Sequence, residues 1–442
     1  MSSTLTDLTA VEARDRMVKG EFTAQAYVTA CLDAIDARET EIEAWVHLDR
    51  AHALEQARAV DAQRASGKGV GALHGLPVGI KDIIDTADMP TQNGSPIFKG
   101  YQPAKDASCV AQIRAAGGIV MGKTVTTELA NVMPNKTKNP HNPGHTPGGS
   151  SSGSAAAVGA KTIPLALGTQ TGGSVIRPAS FCGIYGLKPT LGLISRSGVT
   201  LQAHTLDTIG VYGRSLADLA MLTDALSAHD PSDAVSFTRA RPNLSAALAQ
   251  GVGAKPRFGF LKSPAWPQAE PAAQEALTAF VTKLGGVVEE VEVGALEGVI
   301  AHQANIMGGE NSAYYGPLLA RHPDGVSDRL TERLGIGAKV AAGDYIRSLV
   351  ARETIYVEVA KALGTYSAFI TLPSCGPAPK TLASTGNAVF NAMWTYLGVP
   401  CVTLPLLTVG GLPLGVQLIG MRRDEGRLLA TARWMEERVG RA

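Results

Sequence analysis

The stretch GGSSSGSAAAVGAKTIPLALGTQTGGSVIRPAS, residues 148–180, decides the fold. Its middle holds a helical pattern, Ser154 to Ala160, and then a short apolar run, Thr162 to Leu167, of the length of a buried strand. Gly and Ser crowd both flanks, at Gly148 to Ser154 and Gly168 to Ser174. Ordinary linkers are exposed and featureless, whereas these two loops are clasped between apolar runs and read as embedded. The same texture recurs upstream. Leu76 to Ile80 and Gly118 to Met121 are apolar runs closed by Gly, Pro or Asn, with a helical pattern at Ala107 to Ala116 between them. Strand and helix alternating on this scale predict an α/β sheet covered on both faces.

Beyond this core the chain is less regular. Tyr27, Val28, Cys31, Leu32 and Ile35 recur at helical spacing and Ala51 to Gln63 continues as an Ala-rich amphipathic stretch, so residues 1–70 are expected to be mainly helical. The core that holds these blocks is placed at 71–220. A variable region at 225–366, rich in Asp, Ser, Pro and Ala at its start and helical towards its end, precedes a C-terminal core segment at 367–442 with strand-like runs. At 442 residues one large domain, 1–442, is the expectation, since α/β domains reach this size without splitting.

Composition excludes several classes. Forty basic residues stand against 39 acidic ones, with no run of five or six like charges, so a polyanion-binding surface and a nucleic-acid partner are not expected. Apolar residues make 45% and charged residues 18%, the balance of a folded protein with a large core. Five scattered cysteines lack any CxxC spacing and read as buried thiols. No apolar run is long enough for a leader peptide near the N-terminus or for a membrane span, so a cytoplasmic protein without a membrane partner is expected.

Three motif matches fail on context. GGIVMGKT, Gly117 to Thr124, satisfies a phosphate-loop pattern, but such a loop must leave a strand and open a helix, and here Ile119–Val120–Met121 is itself the strand. GSSSG, Gly149 to Gly153, matches a hydrolase elbow with Ser151 at its tip. An elbow needs a preceding strand, and Asn139 to Gly149 is dense in Pro and Gly, which leaves an esterase using Ser151 as an alternative only. His141 and His145 are separated by Pro143 and Gly144, which prevent the helix that would aim both at one metal; no metal site is expected.

Lys81 ends the apolar run of GLPVGIKDIIDT, an unusual place for a lysine, which ordinarily snorkels to solvent. Its company is GGSSSGSAAAVGA and GTQTGGSVIRPAS, and with GLKPTLGLISRSGV, TLDTIG and the tail segments LGVPCVTLP and GLPLGVQLIG these blocks resemble the amidase signature family across most of the chain. The resemblance implies a mixed central β-sheet flanked by helices. It also implies a catalytic lysine at Lys81, a serine with a cis peptide bond at Ser150, a nucleophile at Ser174, and an oxyanion hole of backbone N–H groups over Thr171, Gly172, Gly173 and Ser174. Ser150 and Ser174 lie 24 apart, the separation expected of relay and nucleophile in this family.

The chemistry is coherent on physical grounds. A serine hydroxyl attacks only when a base takes its proton. A lysine becomes that base when burial disfavours its ammonium form. One relay serine can then act as general base and afterwards as general acid towards the leaving amine. The implied reaction is hydrolysis of a small carboxylic amide through an acyl-enzyme on Ser174, with no metal or organic cofactor; Asp207 and Lys188 read as structural supports. The family is compatible with a homodimer.

Two departures bear on substrate. Most members place an Asp four residues before the nucleophile and an Arg two after it; here Gln170 and, three after, Arg177 stand instead, which resembles the malonamidase type more closely. Gln170 and Arg177 are therefore the expected substrate-binding residues, Arg177 pairing with an anionic group on a small acid amide. A structural arginine bonded to backbone is the competing reading. A glutaminase-like subunit of a tRNA-dependent amidotransferase shares the triad and remains the alternative function, and a binding protein without catalysis is disfavoured by the intact triad. The pocket walls are expected to come from variable segments such as Ile306 to Tyr315.

Overall fold

The computed structural model describes residues 4–440. Its strands, in chain order, are β1 (Trp45–Leu48), β2 (Pro77–Lys81), β3 (Ile119–Thr124), β4 (Leu165–Gln170), β5 (Tyr185–Lys188), β6 (Thr208–Gly213), β7 (Phe258–Leu261), β8 (Val288–Val291), β9 (Ala368–Thr371), β10 (Cys401–Val409) and β11 (Leu412–Ile419). The helices are α1 (Ala10–Lys19), α2 (Ala24–Ile42), α3 (Arg50–Ala65), α4 (Ser108–Ala115), α5 (Ser152–Gly159), α6 (Ile176–Phe181), α7 (Leu216–Leu226), α8 (Leu244–Gln250), α9 (Pro271–Leu284), α10 (Val299–Arg321), α11 (Asp328–Gly337), α12 (Ala342–Leu363), α13 (Val389–Tyr396) and α14 (Glu425–Val439).

All these strands form one mixed sheet in the order β1-β3-β2-β4-β6-β5-β10-β11-β9-β7-β8, with helices on both faces. β2 runs parallel to both β3 and β4, and β7 parallel to β8 and β9; the other pairings are antiparallel. A parallel strand buried on both faces needs a continuous apolar run, and β2, β3 and β4 are buried along their whole length. One apolar core extends from Ala10 on α1 to Met435 on α14. A smaller cluster of Leu129, Tyr315, Leu330 and Leu334 ties α10 and α11 to the segment after β3.

Local chemistry sets the element ends. Thr9 caps α1, its hydroxyl accepting from Glu12 N–H while the Glu12 carboxylate accepts from Thr9 N–H, and Gly20 closes the helix at φ +79°. The α2 residues picked out by spacing, Tyr27 to Ile35, are its buried face. Helix α5 is buried from Ser152 to Val158; a Cβ on its Gly153 would stand 2.2 Å from the Ala44 carbonyl oxygen, so glycine is what lets the helix lie against the chain there.

Three sequence expectations shift. The first seventy residues contain a strand, β1, a four-residue run too short to show periodicity, whose Trp45 packs over Gly122 on β3. β4 starts at Leu165 rather than Thr162, because the Thr162 N–H and hydroxyl both donate to the Ala157 carbonyl and still close α5. The region 225–366 contributes two strands, β7 and β8, beside its helices. No helix among the described residues is long and apolar enough to cross a membrane.

Candidate active site

Strands β2 and β4 are neighbours and parallel, with Ile80 level with Leu167, so their C-terminal ends open at the same edge. Crevices at such strand ends are where open α/β sheets collect functional groups. Lys81 is the last residue of β2. Ser150 precedes α5, and Ser174 lies in the turn between β4 and α6. The Gly149–Ser150 peptide bond is cis, as the resemblance implies.

Lys81 is wholly buried, and its Nζ is hydrogen bonded to Ser150 Oγ at 2.7 Å and to Thr169 Oγ1 at 2.8 Å. Burial brings its pKa down from 10.5 to about 7, against the pull of the Asp207 carboxylate, which favours the ammonium. A lysine in this state is half neutral at physiological pH and able to accept a proton. Ser174 is half-buried, and among the described residues no hydrogen bond joins its hydroxyl to that of Ser150. Catalytic hydrogen bonds of this kind are often long until substrate closes the site.

The turn carrying Ser174 is fixed by its carbonyls. The Thr171 carbonyl accepts from Gln303 Nε2 at 3.2 Å, Gly172 from Thr395 Oγ1 at 2.8 Å, Gly173 from Arg177 N–H at 3.0 Å and Ser174 from Tyr212 Oη at 3.1 Å. With four successive carbonyls engaged, the N–H groups of Gly172, Gly173 and Ser174 are left without a partner among the described residues. Unpaired N–H groups held in place are the requirement of an oxyanion hole. The wholly buried Asp207 braces the same turn, accepting from the Thr171 hydroxyl and from Gln202 N–H at 2.6 Å and Ala203 N–H at 3.1 Å; burial raises its pKa despite these bonds. Lys188, buried on β5, donates to the Pro189 carbonyl at 3.0 Å and takes no part in the cleft.

A cavity of about 340 Å³ opens over this turn, lined by Thr171 to Ser174, Arg177, Asn131, Gln202, Gln303, Arg333 and the segment Thr385 to Val389 among others. Its charged lining among the described residues is Arg177 and Arg333, with no carboxylate. Arg177 is buried; Nη2 donates to the Gly149 carbonyl at 2.6 Å and to Thr385 Oγ1 at 3.2 Å, while Nε is buried with no partner among the described residues. The competing reading of a structural arginine has this support: Nη2 braces the backbone carbonyl next to Ser150. Burial lowers its pKa to about 10, so it stays a cation. Arg333, from α11, has Met307 Sδ at 3.5 Å as its one hydrogen-bond partner among the described residues.

Gln170 does not face the cavity. It is wholly buried, its Oε1 accepts from Val175 and Ile176 N–H at 3.0 Å each, and its Nε2 donates to Thr395 Oγ1 at 3.0 Å, so it holds the start of α6 instead of binding substrate. Ser151 is buried too, accepting from Thr169 N–H at 3.2 Å, and no strand leads into it. Lys123 of the phosphate-loop match lies inside β3, 3.6 Å from Asp82. His141 and His145 are bonded to the Cys182 and Ala378 carbonyls. Of the expected wall Ile306 to Tyr315, Met307 alone among the described residues lines this cavity; α10 also contributes Gln303 and Ile300, one and two turns earlier. Sequence reasoning missed Thr169, which lies in the block of Ser174 without being singled out, and Gln303, Arg333 and Thr395, which sit on helices with no local motif to mark them.

Residues 26–429 match the model of the family described as Amidase. The chain belongs to the amidase family. It is 31% identical to a glutamyl-tRNA(Gln) amidotransferase subunit of Salinispora arenicola, over 99% of this chain and 98% of that protein. Among solved structures it is similar to peptide amidase from Stenotrophomonas maltophilia, with 29% identity, a TM-score of 0.85 and coverage of 98% and 97%. A chain from a vestigial protein complex that bears on the origins of an s-triazine catabolic enzyme superposes with a TM-score of 0.91 at 28% identity, covering 98% and 99%. These relatives differ in what they act on, so the finer likeness to the malonamidase type rests on the motif detail at Gln170 and Arg177 alone.

Proposed function

We propose that this amidase hydrolyses a small amide bearing a carboxylate, through an acyl-enzyme on Ser174. Neutral Lys81 takes a proton from Ser150, which takes one from Ser174 as its Oγ attacks the carbonyl carbon. The N–H groups of Gly172 to Ser174 hold the oxygen as it gains charge. Ser150 returns the proton to the leaving nitrogen, ammonia or an amine departs, and water releases the carboxylate by the same relay in reverse. The observation that carries this reading is the buried Lys81 bonded to Ser150 with its pKa brought down to about 7.

The carboxylate is supported by Arg177 and Arg333, two cations in a cavity whose described lining holds no acidic group. Buried or half-buried guanidinium groups without anionic partners are costly unless a ligand supplies one. The test is ammonia release by wild type and Ser174→Ala across acid amides and neutral amides of equal size. Release is expected from the acid amides and to fall at least about 10⁴-fold in Ser174→Ala. Arg333→Met is expected to raise KM on acid amides by about tenfold or more, and to leave neutral amides unchanged. An Arg333→Met enzyme with unaltered KM on every substrate removes the carboxylate from the reading.

The full-length likeness to the Salinispora arenicola amidotransferase protein supports a second reading, a glutaminase that needs partner chains. Under it the isolated chain releases no ammonia from any amide in the panel.

A further inference from the structure

The segment between β3 and the cis peptide, Thr127 to Asn131, is held in a conformation that its sequence does not favour. Leu129 and Ala130 have φ of +47° and +54°, a region that residues with a Cβ adopt only where surroundings enforce it, most often at functional sites. The surroundings are visible. The Leu129 carbonyl accepts from Tyr315 Oη at 3.3 Å, the Ala130 carbonyl accepts from Gln202 Nε2, and the Glu128 carboxylate accepts from Ser327 N–H at 2.8 Å and its hydroxyl at 2.5 Å. The outcome is to place Asn131 on the wall of the cavity that Ser174 lines.

Asn131 is 7% exposed. Its Nδ2 donates to Asn311 Oδ1 at 3.1 Å on α10, and its Oδ1 is buried without a partner among the described residues. A buried acceptor left unpaired in the protein is one that a ligand can satisfy. The charged groups of this cavity are both donors, two guanidinium groups, beside the N–H groups of the Ser174 turn; amide oxygens of Gln202, Gln303 and Asn387 also belong to the lining, but among the described lining residues Asn131 Oδ1 is the side-chain acceptor that is buried and unpaired. A substrate amide presents both kinds of group, an oxygen for those N–H donors and N–H bonds that require an acceptor. Asn131 is also tied to the relay serine: its carbonyl accepts from Thr127 Oγ1 at 2.7 Å, and Thr127 N–H donates to the carbonyl of Ser150 at 3.2 Å.

We propose that Asn131 is the residue by which this site distinguishes an amide from an ester: its Oδ1 accepts a hydrogen bond from the N–H of the scissile amide, orienting the nitrogen towards Ser150. An ester has no such hydrogen to give. The assignment rests on the acyl-enzyme reading above, and its test separates the two. The rate constant kcat/KM is measured for an acid amide and for the 4-nitrophenyl ester of the same acid, with wild type, Asn131→Leu and Asn131→Asp. Asn131→Leu is expected to lose about 10- to 100-fold on the amide and less than about threefold on the ester. Asn131→Asp keeps an acceptor oxygen and breaks the bond to Asn311, so its preference for amide over ester is expected to stay near that of wild type. Equal losses on both substrates, or a preference lost in Asn131→Asp as fully as in Asn131→Leu, would make the residue a structural clamp and overturn the proposal. Should Asn131→Leu fail to fold, the Asp variant alone decides between acceptor and clamp. A wild type that cleaves neither substrate overturns the acyl-enzyme reading itself.

Discussion

Lys81 shows how a single side chain is prepared by its position on a strand. At the end of an all-buried β2 it cannot reach water, so the dominant influence on its pKa is desolvation, with the Asp207 carboxylate pulling weakly the other way. Because the base must be neutral to accept a proton, kcat/KM should rise with pH, falling about tenfold per unit below about 7 and levelling off above it. Lys81→Arg keeps the charge and the length but cannot give up its proton, and is expected to lose at least about 10³-fold, as Lys81→Met does. A flat profile from pH 5.5 to 8.5, or appreciable activity in the arginine variant, would remove lysine from the role of base. The lysine, with Ser150 and Ser174, was readable from the sequence because each lies in a contiguous block. Thr169, which holds the other side of the Lys81 amine, was not singled out although it lies in the same block as Ser174, since nothing in the block tells which of its hydroxyls meets the lysine.

At the scale of elements, the unit that matters is β4, its closing turn and α6. Gln170 ends the strand and reaches across the turn to the N–H groups of Val175 and Ile176, so the six-residue helix α6 begins where the glutamine dictates. What the position supplies is an acceptor oxygen, and Gln170 offers one as readily as the Asp expected there in most relatives. Its departure from the pattern therefore read as a substrate contact when it is an element contact; spacing alone does not reveal which way a side chain turns. Gln170→Leu leaves two buried N–H groups unpaired beside the nucleophile and should lower stability by about 2–4 kcal/mol. The urea midpoint is expected to drop at unchanged m-value, and kcat more than KM is expected to suffer; Gln170→Glu, which keeps the acceptor, should lose less on both counts. A leucine variant as stable as wild type would show that the turn is held by its carbonyl bonds alone. Arg333 belongs to the same scale: it reaches the cavity because α11 is capped by Ser327, itself fastened to Glu128, and nothing in the local sequence of α11 announces that destination.

At the scale of the whole molecule, the alternation of apolar runs and helical patterns was enough to read a sheet covered on both faces, because β2, β3 and β4 are parallel, buried along their whole length and opened by apolar runs. The far edge, where β7 and β8 join β9, was not legible: β8 is VEEV, half-exposed at the margin, and lacks the apolar continuity of a central strand. The same core disposes of the thiols. Cys31, Cys109, Cys182 and Cys401 are buried and unpaired, and Cys375 is half-buried. Burial pushes the thiols of Cys31, Cys109 and Cys401 up to about 12 and raises those of Cys182 and Cys375 as well. Since the thiolate is the reactive form, a native sample titrated at pH 8 with a disulfide reagent should show at most one fast equivalent, at Cys375, and all five only after unfolding. The melting temperature should not change on adding reductant, because no disulfide is there to lose. Two or more fast native equivalents would mean that the sheet and its helices open far more readily than a continuous core from α1 to α14 permits.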